Sequence, residues 1–476
     1  MTEAAKILQN TAVLGAAKII ERASTVILGI VVARMLGPTG LGVYSAAMVY
    51  YGLVSLAAEM GASNYVTREI ARDPDSTGRY FVHVAGLSIV VAFAVMAGST
   101  AVVPLLGYSQ ELRTGVYVII CAVLPGALRS IQESVFVARQ RVAFITYACL
   151  MAACVNVAVS IYLLHRGVGI VSLVVAFVIV QYLMVLVYFY FLQRHVAALT
   201  WHFDPQFAWT ALKEMRTFTA VSILGGLLAR PEIFLLSLLS NETQIGYYGA
   251  AFRIVDIWQL IPQTYMTNVY PVLSRSYHLA DENAHAIRDS AIKYLLAVSL
   301  PLAAGIVVLA QPIIEMFYGS RFAPSVPMLV LLAWNVPVSA LFAILWRVLA
   351  ARGQQGSVLR AQLATVVVRI GSGAVLIGSL GALGAAITTP ASLLFNNALL
   401  LSYLRRDGTV LSIMRLAWRM TIAAAVMGSL TYLLRTQLQL WFLVPVAVFA
   451  YAVVIIVFRA FARDDFASLR TVWGRK

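Results

Sequence analysis

The stretch from Thr11 to Gly37 constrains the fold more than any other. It is apolar and long enough to cross a bilayer, since roughly 20 helical residues at about 1.5 Å each span the ~30 Å hydrocarbon layer. Yet Lys18, Glu21 and Arg22 lie in its middle. Spacings of three and four residues put all three on one helical face, and Thr25 continues that face one turn on. A charged side chain at mid-membrane costs roughly 2.5–3.5 kcal/mol on the insertion scale. A helix surrounded by lipid would not carry three. This face must look into a helix bundle or a wet cavity, with other membrane helices arranged around it.

Composition agrees. The 476 residues are 61% hydrophobic and 12% charged, with a mean hydropathy of +0.85. Soluble domains are nearer half apolar and a quarter charged. The net charge of +15 does not imply nucleic acid. The basic residues are scattered through short loops between apolar runs rather than gathered on a soluble face. Cys121, Cys149 and Cys154 all fall inside apolar runs and read as buried free thiols. The histidines are dispersed and make no metal cluster, and no GxxxxGK[ST] phosphate loop occurs. No metal, cofactor or enzyme chemistry is expected.

The expected fold is an all-α polytopic membrane protein with about fourteen transmembrane helices. Spans 1, 2, 4, 7 and 8 are read at 11–33, 41–66, 114–138, 217–239 and 247–273. An even count puts both termini on one side. With the N-terminus in the cytoplasm, the outside junctions hold only Arg34, Arg113, Arg166, Arg321 and Arg435. Nearly all other loop cations then fall inside, which is the positive-inside pattern.

The chain also repeats itself. Leu41-Gly42-Val43-Tyr44-Ser45-Ala46-Ala47 recurs, 204 residues on, as Ile245-Gly246-Tyr247-Tyr248-Gly249-Ala250-Ala251. Each copy opens an even-numbered span just after an outside turn. An even number of spans separates them, so the halves have parallel topology about an axis along the membrane normal. The expected organisation is an N-lobe of spans 1–6 over residues 1–200 and an interfacial connecting helix over 201–216. A C-lobe of spans 7–12 over 217–406 follows, then spans 13–14 and a cytoplasmic tail over 407–476. The two six-helix lobes are pseudo-symmetric. In the connector, Asp204-Pro205 reads as N-cap and first helical residue, and Trp201, Phe203, Phe207 and Trp209 read as headgroup-level aromatics.

Charges inside spans are the candidate functional residues, because intramembrane ionisable groups mark substrate or ion paths. The first lobe holds Lys18, Glu21, Arg22, Glu59, Arg129 and Glu133. Helix direction places all six between the midplane and the cytoplasmic half, and Arg129 and Glu133 are an i, i+4 pair. The second lobe holds Arg230 and Glu232 beside Pro231, Arg253 with Asp256, and Arg369. Arg253, Asp256 and Glu232 also fit a structural or gating ion pair. Arg347 sits near a span end, where it can snorkel to the headgroups. Pro231, Pro262, Pro271, Pro301, Pro327 and Pro337 interrupt second-lobe helices. Tyr50, Tyr51, Tyr117, Tyr188, Tyr190 and Trp441 read as interfacial belt anchors.

Three further runs carry a family resemblance. They are Ala33-Arg34-Met35-Leu36-Gly37-Pro38-Thr39-Gly40-Leu41-Gly42-Val43-Tyr44, Glu59-Met60-Gly61 and Arg68-Glu69-Ile70-Ala71-Arg72. They resemble the polysaccharide-transport, or oligosaccharide flippase, family of the MOP exporter superfamily. That superfamily also holds the MATE drug exporters and the peptidoglycan-precursor flippase. Ile245 to Ala251, followed by Pro271-Val272-Leu273-Ser274-Arg275, is similar to the family's span-8 pattern.

The resemblance implies translocation of undecaprenyl-pyrophosphate-linked oligosaccharide across the cytoplasmic, inner membrane by alternating access, for exopolysaccharide, capsule or lipopolysaccharide O-antigen. It implies a substrate cavity of Lys18, Arg22, Arg129, Arg230 and Arg369, because a lipid pyrophosphate wants Arg or Lys. Glu21, Glu59 and Glu133 are then the candidates for H+ or Na+ coupling, with no other cofactor. The implied partners are the lipid-linked glycan, membrane lipid and a polysaccharide polymerase, for a monomeric chain. Two other readings stand beside it. One is a MATE-type cation-coupled drug exporter. The other is a membrane scaffold subunit of a polysaccharide synthesis complex, its charges purely structural.

Overall fold

A computed structural model describes residues 3–196, 204–229, 231–279, 283–405, 408–435, 437 and 440–457. The side chains of some helical residues, Lys18 among them, lie outside that description. All regular structure among the described residues is helical. The helices are α1 Glu3–Glu59, α2 Ala62–Arg72, α3 Thr77–Val102, α4 Gln110–Ile120, α5 Val123–Ala138, α6 Ala143–His165, α7 Ile170–His195, α8 Pro205–Ala229, α9 Pro231–Leu239 and α10 Glu242–Asp256. They continue as α11 Leu260–His278, α12 Asn283–Val308, α13 Ala310–Tyr318, α14 Ser325–Ala333, α15 Asn335–Ala351, α16 Gln355–Leu380, α17 Ala382–Tyr403, α18 Thr409–Leu434 and α19 Leu440–Val457.

Nine helical stretches among the described residues are long and apolar enough to cross a membrane, or ten if α4 and α5, bent by 41°, count as one. The chain is therefore a multi-pass membrane protein. It divides into two compact units, Met1–Gly249 and Ala250–Lys476. Lipid is as apolar as leucine, so close packing and satisfied polar groups hold such helices together rather than burial from water.

In the first unit, α1 carries spans 1 and 2 as one long helix with a corner. At Gly37, φ is 71° and ψ −168°, and Pro38 follows. Glycine tolerates that φ, and proline cannot donate to the preceding turn, so the corner is written in two residues. The helix ends after Glu59, where Met60 (φ 47°) and Gly61 (φ 64°) turn the chain. Thr219 of α8 donates its hydroxyl to the Met60 carbonyl at 2.7 Å. A Cβ on Gly61 would lie 2.5 Å from the Phe218 carbonyl carbon, so only glycine fits. Span 2 thus stops short of residue 66, because a turn docked on α8 replaces its last helical turns. Buried side chains of α2, α3, α5, α6, α7 and α8, with Tyr188, Phe136 and Ile70 at the centre, pack into one core.

The connector begins as expected. Asp204 Oδ1 accepts from the backbone N–H groups of Gln206 (2.9 Å) and Phe207 (3.3 Å), with Pro205 opening the helix. Residues 201–203 lie outside the described residues. From Pro205 the helix runs to Ala229 without a stop near residue 216, since neither glycine nor proline occurs before Gly225. Trp209 is exposed, whereas Phe207 is held under the Arg79 guanidinium at 4.2 Å.

The two copies of the repeat meet within the first unit. The Thr39 and Thr243 hydroxyls, equivalent at an offset of 204 residues, hydrogen bond at 2.9 Å. A Cβ on Gly42 would lie 1.7 Å from the Glu242 carbonyl oxygen, and one on its equivalent Gly246 would lie 1.9 Å from the Pro38 carbonyl oxygen. Glu242 is itself the equivalent of Pro38. One turn further, a Cβ on Gly249 would lie 3.3 Å from the hydroxyl of its equivalent, Ser45. Each copy therefore touches its own counterpart, as a local two-fold axis requires. Glycine allows backbone to approach backbone, the close-packed mode of membrane helices.

In the second unit, α11, α12, α15, α16, α17 and α18 share a core built on Leu273, Ile292, Ile344, Leu345 and Leu400. Helices α12 and α13 are separated by a break at Leu309, and α14 and α15 by one at Trp334. Pro271 and Pro301 lie inside helices, whereas Pro231 begins one.

Candidate functional site

Four intramembrane charges of the first unit, Glu21, Glu59, Arg129 and Glu133, come together on α1 and α5, with Tyr188 of α7 beside them. Glu59 ends the second arm of α1, and α5 presents Arg129 with its neighbour Ser130, then Glu133 one turn on. Glu59 Oε1 accepts from the hydroxyls of Ser63, at the start of α2, and Ser130, each at 2.6 Å. Glu133 Oε1 lies 3.6 Å from Arg129 Nε and accepts from the Tyr188 hydroxyl of α7 at 3.2 Å. The Cys149 thiol of α6 is 3.9 Å from the same hydroxyl.

Glu21, one turn into the charged face of α1, acts through its charge on both Arg129 and Glu133; Glu59 acts on Glu133 as well. Tyr51 faces the same charges, Arg129, Glu21 and Glu59. Two carboxylates, Glu133 and Glu21, therefore act on Arg129, and Glu59 acts on Glu133 beside them. The guanidinium is partly used: Nη1 is 3.7 Å from the Met184 thioether, and buried Nε has no hydrogen-bond partner. Donor capacity is left over, and a guanidinium presents it in a planar fork suited to a phosphate or carboxylate.

Arg22 is half-buried and Glu21 exposed on α1. The Ser24 and Thr25 hydroxyls donate to the Glu21 carbonyl, at 2.8 and 2.9 Å, so Thr25 is bound to its own helix. The Lys18 side chain and all of Arg230 lie outside the described residues. Glu232 is buried in the first turn of α9, where the helix dipole favours a carboxylate. Arg253 and Asp256 are half-buried near the end of α10, and Arg369 is half-buried midway along α16. Arg347 does not snorkel freely. It lies over the Trp346 ring at 4.5 Å and donates to the Ala343 carbonyl at 2.9 Å. No group of three or more metal-ligating side chains occurs among the described residues.

Three sequence expectations are corrected. Tyr188 is fully buried and bound to Glu133, and Tyr50 is buried with its hydroxyl 3.3 Å from the Ser99 carbonyl; neither is a belt anchor. Of the three thiols only Cys149 is buried; Cys121 and Cys154 are exposed. Ser63 and Ser130 join the site although no sequence signal singles them out, because hydroxyl residues are common in membrane helices; Tyr51 and Tyr188 join it from the set expected as belt anchors.

Residues 31–327 match the family described as Polysaccharide biosynthesis protein. The chain belongs to that family. Residues 233–453 also match the family described as Lipid II flippase MurJ. A protein of Haloferax volcanii named "Probable low-salt glycan biosynthesis flippase Agl15" is 26% identical over 189 residues, which is 39% of this chain and 40% of that protein. The match thus spans about two-fifths of that relative's length. Among solved structures, the inward closed conformation of Lipid II flippase MurJ superposes with a TM-score of 0.77 at 16% identity, covering 93% of this chain and 98% of that one. An inward-facing multidrug resistance MATE family transporter of the MOP superfamily gives 0.65 at 17% identity, covering 85% and 98%. At such identities these two likenesses establish the fold that this member of the polysaccharide biosynthesis family shares with them.

Proposed function

We propose that the chain is a flippase, not an enzyme, that carries undecaprenyl-pyrophosphate-linked oligosaccharide from the cytoplasmic to the outer leaflet of the cytoplasmic membrane. The glycan would serve exopolysaccharide, capsule or O-antigen assembly, and a polymerase would receive it. Supporting the reading most is the cluster of Arg129, Glu133 and Glu59 inside membrane-spanning helices of a polysaccharide biosynthesis family member.

The pyrophosphate enters from the inner leaflet and meets Arg22, Arg129 and Lys18, with Arg230 and Arg369 as second-half contacts. Arg129, whose Nε faces Glu133 at 3.6 Å without a hydrogen bond, would turn its guanidinium to the pyrophosphate. Glu21 and Glu133 act on the Arg129 guanidinium and Glu59 acts on Glu133, and carboxylates that bear on one another suit H+ or Na+ as the coupling ion. Alternating access moves residues 1–200 against 217–406 as lobes, with both termini cytoplasmic and the chain acting as a monomer. The glycine crossing at Gly42 and Gly246 then has to part for the outward-open state.

Complementation of a flippase-null strain, with membrane abundance measured in parallel, tests the reading. Arg22→Ala and Arg129→Ala each abolish glycan export at normal protein levels, and Arg22→Lys is partly defective because an ammonium lacks the planar fork. Wild-type export by a stably inserted Arg22→Ala variant overturns the cationic substrate site.

A further inference from the structure

Helix α11 is built the wrong way round for a membrane helix. It has 19 residues, enough to cross most of a bilayer, yet it is not among the helices apolar enough to do so. Its neighbours in the core, α12 and α15, belong to stretches that are. So α11 stands beside membrane-spanning helices while failing their test of composition.

The reason is its exposed face. Pro262, Met266, Val269 and Leu273 recur at helical spacing and are buried. On the opposite side Gln263, Thr264, Thr267 and Asn268 are exposed over two turns, and Arg275 and His278 extend the same side to the helix end. The exposed apolar residues Ile261 and Val272 sit together at one edge of this face. Lipid would penalise such a polar face, so it borders water or a polar ligand.

Tyr270 lies at the other edge, one helical turn from Thr267 and two from Gln263. Its ring stacks on Trp346 of α15, with centroids 6.4 Å apart and 30° between planes. Arg347 lies over that Trp346 ring at 4.5 Å, so the aromatic pair is clamped in place. Thr267 donates to the Gln263 carbonyl at 2.8 Å, and Asn268 to the Thr264 carbonyl at 3.1 Å. Their acceptor oxygens stay available for a ligand.

A fixed aromatic ring beside neutral amide and hydroxyl groups, with no carboxylate on the face, matches one chemistry. Sugar hydroxyls pair with the amides and hydroxyls, and the apolar face of a pyranose covers the ring. A cationic ligand would find no counter-ion here. We infer that the exposed face of α11, through Gln263, Thr267, Asn268 and Tyr270, binds the hydroxyl-rich glycan of the substrate, apart from its pyrophosphate. This rests on the flippase reading and assigns to that substrate a second, sugar-specific contact.

The test measures binding by the full chain in phospholipid vesicles. One probe is a polyisoprenyl pyrophosphate carrying a disaccharide, and the other is the same lipid pyrophosphate without sugar. Wild type binds the glycolipid more tightly than the bare lipid. Tyr270→Ala and Gln263→Ala each weaken glycolipid binding about tenfold, a factor one good polar or stacking contact supplies, and leave the bare lipid unchanged. Tyr270→Phe, which keeps the ring, binds the glycolipid like wild type. Equal losses for both probes, or no loss for either, overturn the sugar site while wild-type binding keeps the flippase reading. Wild type that binds neither probe overturns both. As an independent readout, Thr267→Cys in a chain with Cys121, Cys149 and Cys154 changed to Ala reacts with a charged thiol reagent much faster than Val272→Cys does. Equal rates at the two positions show that the polar face is sealed, and the proposal falls.

Discussion

A methyl group at the glycine crossing tests whether the repeat copies have to touch. In Gly42→Ala the added Cβ would sit 1.7 Å from the Glu242 carbonyl oxygen and 2.5 Å from its carbon. Carbon and oxygen in contact are about 3.3 Å apart, so the two strands of backbone must separate by about 1.5 Å. Neither side can yield by a rotamer change, because the obstructing atoms are backbone. Overpacking of this kind costs about 1–3 kcal/mol. Spent on one arrangement of a two-state equilibrium, that is a shift of about 5- to 150-fold away from the closed crossing. The assay is cross-linking of Thr39→Cys with Thr243→Cys, whose hydroxyls are 2.9 Å apart in the native pair. It is done in the chain lacking Cys121, Cys149 and Cys154, with a short bifunctional thiol reagent. Gly42→Ala lowers the yield at least severalfold at equal membrane abundance, and Gly246→Ala does the same from the other side of the axis. The double variant is less than additive, because both changes relieve one contact. An undiminished yield in Gly42→Ala would refute the close crossing.

Three further outcomes are expected. Glu59→Gln keeps an acceptor for Ser63 and Ser130 but loses the charge, so transport falls while expression and substrate binding hold; unchanged transport across pH and sodium in the Glu59→Gln, Glu133→Gln double variant removes both from coupling. Tyr188→Phe deletes a hydrogen bond to a charged group, worth about 1.5–3 kcal/mol, and lowers the thermal unfolding midpoint in detergent without changing membrane insertion; an unchanged midpoint shows that the bond adds nothing. Single cysteines at Thr39 and Ser109 react with an impermeant reagent in intact cells, as the cytoplasmic placement of both termini demands, and protection of both would reverse it.

The features legible in the sequence were those governed by hydropathy, spacing or backbone chemistry. The corner at Gly37-Pro38 and the Asp204-Pro205 cap were readable because few residues tolerate those conformations. The repeat was readable because the same glycine has to appear wherever the local two-fold axis brings backbone against backbone. Glu59, Arg129 and Glu133 stood out because charge in an apolar run is costly. Tyr188 did not stand out. A tyrosine near a span end serves equally as a lipid anchor or a buried donor, and only the position of Glu133 on a neighbouring helix decides. Ser63 and Ser130 carry still less signal. Span 8 reads as apolar over 247–273 because Met266, Val269 and Leu273 on the buried side of α11, with Ile261 and Val272 at the edge of the other, mask the polar side.

These polar features share a location as well as a chemistry. Glu59 stands at the last residue of α1 before the Met60–Gly61 turn, and Arg129 lies in the helix that follows the 41° bend between α4 and α5. The polar face of α11 follows a single short 3-10 segment, Ile257–Gln259, that ends α10. A broken helix leaves backbone carbonyls and N–H groups without helical partners, and lipid cannot satisfy them. Breaks are therefore confined to places lined by protein or water, which are the same places where charged and amide side chains are tolerated. A break is also where a helix bends most cheaply. The requirement that keeps polar groups out of lipid thus sets charged and amide side chains and the points of bending side by side. Replacing Gly61 with Ala should consequently disturb Glu59 and the α8 contact together, since its Cβ would meet Phe218 at 2.5 Å beside the turn that positions the carboxylate.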